Sequence, residues 1–186
     1  NHGQDAETIM RAEALFCQGH FTDAHIELER AYAQVRDNGQ INMALCCDFL
    51  SRRLSLHTDV EQRYTFAERY AELLQYHDAS WINIWCATSA YYHALLGEVE
   101  EIPEIFSQHR LSTVNMLAPG KPMMEMIENQ VYLAQGAYAK VVGRSAELLA
   151  VCEAMHYALV ALHIRIQTAA AYEKLGKTCL LYTSPS

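Results

Sequence analysis

The stretch LAQGAYAKVV, Leu133 to Val142, sets one glycine between two segments of good helix-forming composition. Glycine inside a helix costs about 1 kcal/mol relative to alanine. Gly136 therefore either weakens one long helix or ends one and lets the next begin. Similar turns stand at FCQGHF (Gly19), LLGEV (Gly97) and EKLGK (Gly176). Gly19 and Gly97 are 78 residues apart, Gly97 and Gly136 are 39 apart, and Gly136 and Gly176 are 40 apart. The member missing from this series falls at position 58, where Thr58 and Asp59 are themselves turn and cap formers. One unit thus recurs five times, with turns at 19, 58, 97, 136 and 176.

Other positions keep the same register. Phe21, Val60, Val99 and Tyr138 follow the turns by two residues; Ala24, Arg63, Ile102 and Val141 follow by five. Seven residues before the turns stand Ala12, Ser51, Ala90, Asn129 and Ala169, mostly small. Four before them stand Leu15, Leu54, His93, Tyr132 and Tyr172, mostly large. Small residues let helices approach, and large ones fill the space between them. A helical hairpin cannot bury its apolar face alone, so such units stack. Gly136 then ends a helix and supplies the positive φ of a sharp turn.

The pattern predicts first and second helices over 5–18 and 22–36, 41–56 and 59–76, 81–96 and 98–111, and 123–135 and 138–152, with a lone first helix over 157–175. Pro103 is expected in a first turn, where its missing N–H costs least. Ala118-Pro119-Gly120-Lys121-Pro122 is the clearest break. No alternation of strand type persists. The expected architecture is all-α: a right-handed, tetratricopeptide-like solenoid of about four and a half repeats of 39–40 residues over residues 5–177. The last helix, lacking a partner, should expose an apolar face. The chain opens Asn1-His2-Gly3-Gln4 and ends TCLLYTSPS, which resembles a translated adapter scar; residues 178–186 are read as a non-native tail and the chain as a fragment.

The chain has 186 residues, 51% of them apolar, and a net charge of −8, which argues against disorder and against a nucleic-acid surface. No run of 18 apolar residues is present, so no membrane span is expected. Six cysteines in largely apolar helical segments read as reduced core thiols of a cytosolic protein.

FCQGHFTDAHIELERA, Phe16 to Ala31, resembles the tetratricopeptide family through Gly19, Phe21, Ala24 and Ala31. The unit is longer than that family's usual one, and the aromatic–Leu-Gly signature of its first helix is missing. Residues Glu128 to Lys177 are similar to the helical-repeat region of MalT-like, LuxR-family transcriptional regulators. That resemblance implies a cytoplasmic sensor or scaffold that binds a small-molecule inducer or a regulatory protein. It also implies an ATPase module before the repeats and a helix-turn-helix after them. The chain contains no G-x-x-x-x-G-K-[ST] and no basic recognition helix, so neither ATP hydrolysis nor direct contact with nucleic acid is expected of it. A general tetratricopeptide adaptor for another protein is the alternative.

Cys17, His20 and His25 form C-x-x-H-x-x-x-x-H across the first turn, but zinc wants three or four converging ligands and no fourth is evident. Adjacent Cys46 and Cys47 point to different helix faces. Ser145 lies within a helix and reads as a core or capping hydroxyl. Glu100, Glu101 and Glu104 suit a solvated helix start. Trp81 and Trp85, four apart, read as packing between repeats. No catalytic residue, metal or cofactor is assigned. In stacked hairpins the first helices line the concave face. Six residues before the turns stand Glu13, Arg52, Tyr91, Gln130 and Ala170, and ten before stand Ile9, Asp48, Ala87, Met126 and Ile166. Asp48, Arg52, Tyr91 and Gln130 are therefore the predicted ligand-binding set, a mixed polar and aromatic lining suited to a small polar ligand or a peptide. A plain Asp48–Arg52 ion pair along one helix is the competing explanation. With Arg52 the only basic residue among them, a clamp for a peptide carboxylate is disfavoured.

Overall fold

Every repeat glycine takes the left-handed backbone that the spacing predicts: φ is 79° at Gly19, 73° at Gly97, 74° at Gly136 and 72° at Gly176. The computed structural model describes residues 2–114 and 118–176; the predicted tail over 178–186 lies outside them. The turns at Gly19, Gly97 and Gly136 close in the same way. The N–H of the following residue (His20, Glu98, Ala137) donates to the carbonyl five residues back (Leu15, His93, Tyr132) at 2.9 Å each. This is the bonding of a Schellman C-cap, which satisfies carbonyls that the helix end leaves over. No helix runs through position 97 or 136.

The described residues form α1 (His2–Cys17), α2 (Phe21–Asn38), α3 (Ile41–Ser55), α4 (Phe66–Leu73), α5 (Ala79–Leu96), α6 (Glu104–Ser107), α7 (Lys121–Ala134), α8 (Tyr138–Ala154) and α9 (Ala158–Lys174), with short 3-10 turns and no strand. The fold is all-α, as expected. The chain divides into two units, Asn1–Thr88 and Ser89–Ser186. In the first, α1 packs on α2, α2 on α3, and α1 also on α3. In the second, α7, α8 and α9 repeat that arrangement, with α6 against α7. Each unit therefore shows a helix meeting both the next helix and the next but one, as stacked hairpins require. Leu28, Leu45, Leu50 and Leu54 centre the first core, against which Trp81 and Trp85 pack. Phe106, Ile127, Val131, Val141 and Ile164 are buried in the second.

Two predicted helices are corrected. The one placed at 59–76 begins only at Phe66. Thr65 and Glu68 form a capping box there: the Glu68 N–H donates to Thr65 Oγ1 at 3.1 Å, and the Thr65 N–H donates to Glu68 Oε2 at 2.7 Å. Residues 59–65 instead run non-helical beside α3, where Gln62 Nε2 donates to the Ser51 carbonyl at 3.2 Å. Arg63, five after the expected turn, is accordingly exposed, whereas Ala24, Ile102 and Val141 in the same column are buried. The helix placed at 98–111 is broken into a 3-10 turn over Val99–Glu101, α6, and a 3-10 turn over Leu111–Thr113. Pro103 is the cause: it disfavours helical backbone at the residue before it, and Ile102 is extended (φ −73°, ψ 125°). Pro103 is therefore the N-cap of α6, not a residue of a long helix's first turn. The Ala118–Pro122 break holds a 3-10 turn at Ala118–Gly120, and α7 starts within it at Lys121, with Pro122 in its first turn.

The breaks expected after residues 36, 76 and 152 are left-handed turns of the same kind. Gly39 (φ 63°), His77 (52°) and His156 (57°) end second helices in the left-handed region, and His109 (54°) does the same after α6. For a non-glycine residue this conformation costs roughly 1–2 kcal/mol. His156→Gly is expected to raise the unfolding free energy by about 0.5–1 kcal/mol, the strain removed less glycine's extra unfolded-state entropy. Gly136→Ala should lower it by about 1–2 kcal/mol, with no steric part, because a Cβ there meets nothing within 4 Å. Urea titrations of the two variants beside the parent check both signs.

Cys47 and Cys152 are buried thiols, Cys86 is half-buried, and Cys17 and Cys46 are exposed, all five free; so only some of the cysteines are core residues. Burial pushes the Cys86 thiol up to about 11, against about 8.5 in an unfolded chain. Tyr32 is also raised, by burial first and by the Asp48 charge second. Raised folded values mean stability that is whole below the unfolded pKa and is lost as pH rises through the folded one. Unfolding midpoints are expected to hold to about pH 8 and to fall toward pH 11. Cys86→Ala should make that fall shallower; an unchanged slope would assign it elsewhere.

Candidate functional site

In each unit a residue six before a turn, Glu13 or Gln130, accepts a hydrogen bond that joins one first helix to the next. In the first unit Arg53 of α3 reaches Glu13 of α1 with two hydrogen bonds, at 2.5 and 2.6 Å. In the second, Gln167 Nε2 of α9 donates to Gln130 Oε1 of α7 at 3.1 Å and to the Met126 carbonyl at 2.9 Å. Asp48 is buried and accepts from Tyr32 Oη at 2.6 Å and from Arg69 Nε and Nη2 at 2.5 and 3.2 Å. Arg52 is buried too, with its guanidinium 4.0 Å over the Phe66 ring and a hydrogen bond to the Tyr64 carbonyl. Tyr91 is 6% exposed on α5, and Gln130 alone of the four keeps appreciable surface. A ligand would reach Asp48 or Arg52 only by replacing contacts that hold the first unit together.

The second unit carries a separate concentration of polar groups, on α7, α8 and the segment after α6. Glu128 and Tyr132 are one helical turn apart on α7, and Arg144 comes from α8. His109 is delivered by the turn that ends α6, where the Arg110 N–H donates to the Ile105 carbonyl at 2.9 Å. The His109 ring lies parallel to that of Tyr132, 4° apart in plane and 3.8 Å between centroids. Gln135 fixes it from the other side: its Oε1 is 2.6 Å from His109 Nε2, while its Nε2 donates to the Ser107 carbonyl at 2.9 Å. That amide orientation puts a proton on Nε2 and turns Nδ1 toward Glu128, 3.4 Å from Oε1. Arg144 Nη1 is 3.2 Å from the same oxygen, and its guanidinium carbon is 5.1 Å from the Tyr132 ring centre. Neither Nδ1 nor Nη1 makes a well-directed hydrogen bond among the described residues.

These side chains, with Leu111, Ser112, Lys121 and Glu125, surround a cavity of about 340 Å³. Burial first, and the Glu128 carboxylate second, raise the Tyr132 phenol above its ordinary value, with Arg144 opposing. Two carboxylates, two cations, an imidazole held by Gln135 and an aromatic wall can orient a small polar ligand.

The remaining candidates are placed more simply. Among the described residues no group of three or more His, Cys, Asp or Glu side chains sits where it could hold a metal ion; Cys17 Sγ is 4.0 Å from Glu13 Oε1. Ser145 Oγ donates to the Val142 carbonyl at 2.8 Å. Trp85 Nε1 donates to the Phe66 carbonyl at 3.0 Å, and its ring lies 4.8 Å from that of Tyr70, so it is a packing residue. Glu100, Glu101 and Glu104 are exposed. No described helix is long and apolar enough to cross a membrane. Compared with family models, with curated proteins and with solved structures, the chain matches none.

In the sequence Tyr132 stands only as a large filler before a turn, and the repeat register does not mark His109, Glu128 or Arg144. The spacing of Glu128 and Tyr132 on one helix face was a usable signal. His109 was not recoverable, because its place depends on the break at Pro103.

Proposed function

We propose that this chain is the ligand- or protein-binding sensor and scaffold region of a LuxR-type, MalT-like transcriptional regulator of the bacterial cytoplasm. In this reading it acts by binding, without catalysis or DNA contact of its own, and transmits its bound state to an ATPase module and a helix-turn-helix elsewhere in the same protein. The observation that carries it is the polar cavity of the second unit, set among helices ended by evenly spaced left-handed glycines. The likeness of residues Glu128 to Lys177 to the repeat region of such regulators adds the regulatory context. The coding sequence on either side tests it: an upstream P-loop module and a downstream helix-turn-helix are expected, and their absence from the full gene would overturn the regulator assignment.

One observation favours a general tetratricopeptide adaptor instead. Ile9 and Met126, ten residues before their turns, are buried where a later first helix packs, but Ile166 in the same column is 59% exposed and Leu162 is 50% exposed. This apolar stripe of α9 suits a helical protein partner. A full-length chain with repeats but no DNA-binding module would favour that reading.

A further inference from the structure

We propose that the cavity of the second unit binds a free α-amino acid as its zwitterion; this rests on the small-molecule sensing reading above and names the ligand class. The argument is one of charge and direction. The lining offers two cations, Lys121 and Arg144, and two carboxylates, Glu125 and Glu128. Neither internal pair is a well-directed hydrogen bond. Lys121 Nζ is 3.7 Å from Glu125, with the lysine side chain 64% exposed. Arg144 Nη1 is near Glu128 but without hydrogen-bond geometry.

A simple anion entering the cavity meets two carboxylates, and a simple cation meets two cations. A molecule carrying one charge of each sign compensates both, and exchanges two poorly directed pairs for charge-assisted hydrogen bonds. Its carboxylate takes Arg144 and Lys121; its ammonium takes Glu128 and Glu125. Leu111 and the Tyr132–His109 stack supply an apolar and aromatic wall for a side chain. A volume of about 340 Å³, near the lower end for ligand pockets, admits a single small molecule and not a folded partner.

The test uses the whole chain, with the twenty proteinogenic amino acids offered singly in saturation-transfer NMR and calorimetry. At least one is expected to bind, with its N-acetyl form and its carboxamide each about ten-fold weaker or more. Arg144→Ala should abolish binding. Lys121→Ala, at an exposed position, should weaken it several-fold while leaving the helical circular dichroism intact. The proposal is overturned if no amino acid binds the folded chain, if the acetylated and amidated forms bind as well as the parent, or if both variants keep full affinity. A ligand of another class that perturbs the Tyr132 and His109 resonances would also overturn it, yet leave the sensor reading standing. A full gene without flanking modules would remove the regulator reading without touching amino-acid binding.

Discussion

Arg69→Met is expected to lower the unfolding free energy of the chain by about 3–5 kcal/mol, the usual result of removing one member of a buried ion pair. The Arg69 and Asp48 side chains are 6% and 11% exposed. Burial alone would lower the Arg69 pKa, but hydrogen bonds and charge from Asp48, and charge from Glu72, hold it above its ordinary value. Its guanidinium also lies 4.2 Å from the centre of the Tyr64 ring. Without Arg69, the Asp48 carboxylate keeps only the Tyr32 hydroxyl among the contacts described and stays desolvated. The double variant Asp48→Leu/Arg69→Met should recover much of the loss, because the leftover charge, more than the missing attraction, dominates the single variant. Urea unfolding followed by circular dichroism gives both numbers. A single-variant cost below about 1 kcal/mol would place the pair in the class of surface salt bridges.

That pair also shows why the predicted binding set was read differently from the way it is used. Counting back from the turns placed Asp48 and Arg52 on one side of α3, and a mixed polar lining there suggested a ligand. The count carries no information about where α4 begins. Once the capping box at Thr65 delays that helix to Phe66, Arg69 falls opposite Asp48 and Phe66 falls under Arg52. The partners are thus supplied by a helix whose start the repeat spacing misplaced.

The first turns were legible because a positive φ selects glycine strongly, and one residue type at fixed spacing is a signal visible in a single sequence. At the second turns the helix ends near 36, 76 and 152 were legible but their conformation was not, because His77 and His156 occupy the same backbone region without advertising it. Asn129 is a related case. It stands in the column of Ala12 and Ala90, fully buried like them, but its amide finds no hydrogen-bond partner among the described residues. Small size predicted that close approach of helices; nothing in the spacing predicts an unmet polar group at the same place.

The largest effect in the second unit is expected at Phe106, in the helix that Pro103 cut short. Four residues cannot sustain a helix unaided, since nucleation costs more than one turn returns. What holds α6 is its contact with α7 and the burial of Phe106, 1% exposed; Ile102 and Leu111, before and after the helix in sequence, are also buried. Phe106→Ala should therefore cost about 3–5 kcal/mol, and Phe106→Leu under about 1.5 kcal/mol. A second consequence separates this from ordinary core loss. The Phe106 carbonyl accepts from the His109 N–H at 3.1 Å, and the Ser107 carbonyl anchors Gln135. Loosening α6 releases both supports of the His109 ring, and with them its stack on Tyr132. The His109 ring protons should lose the upfield shift imposed by the phenol in the alanine variant and keep it in the leucine variant. An alanine variant that is destabilised yet retains that shift would mean that the imidazole is positioned from α7 alone, and that the plug at Phe106 serves stability without shaping the cavity.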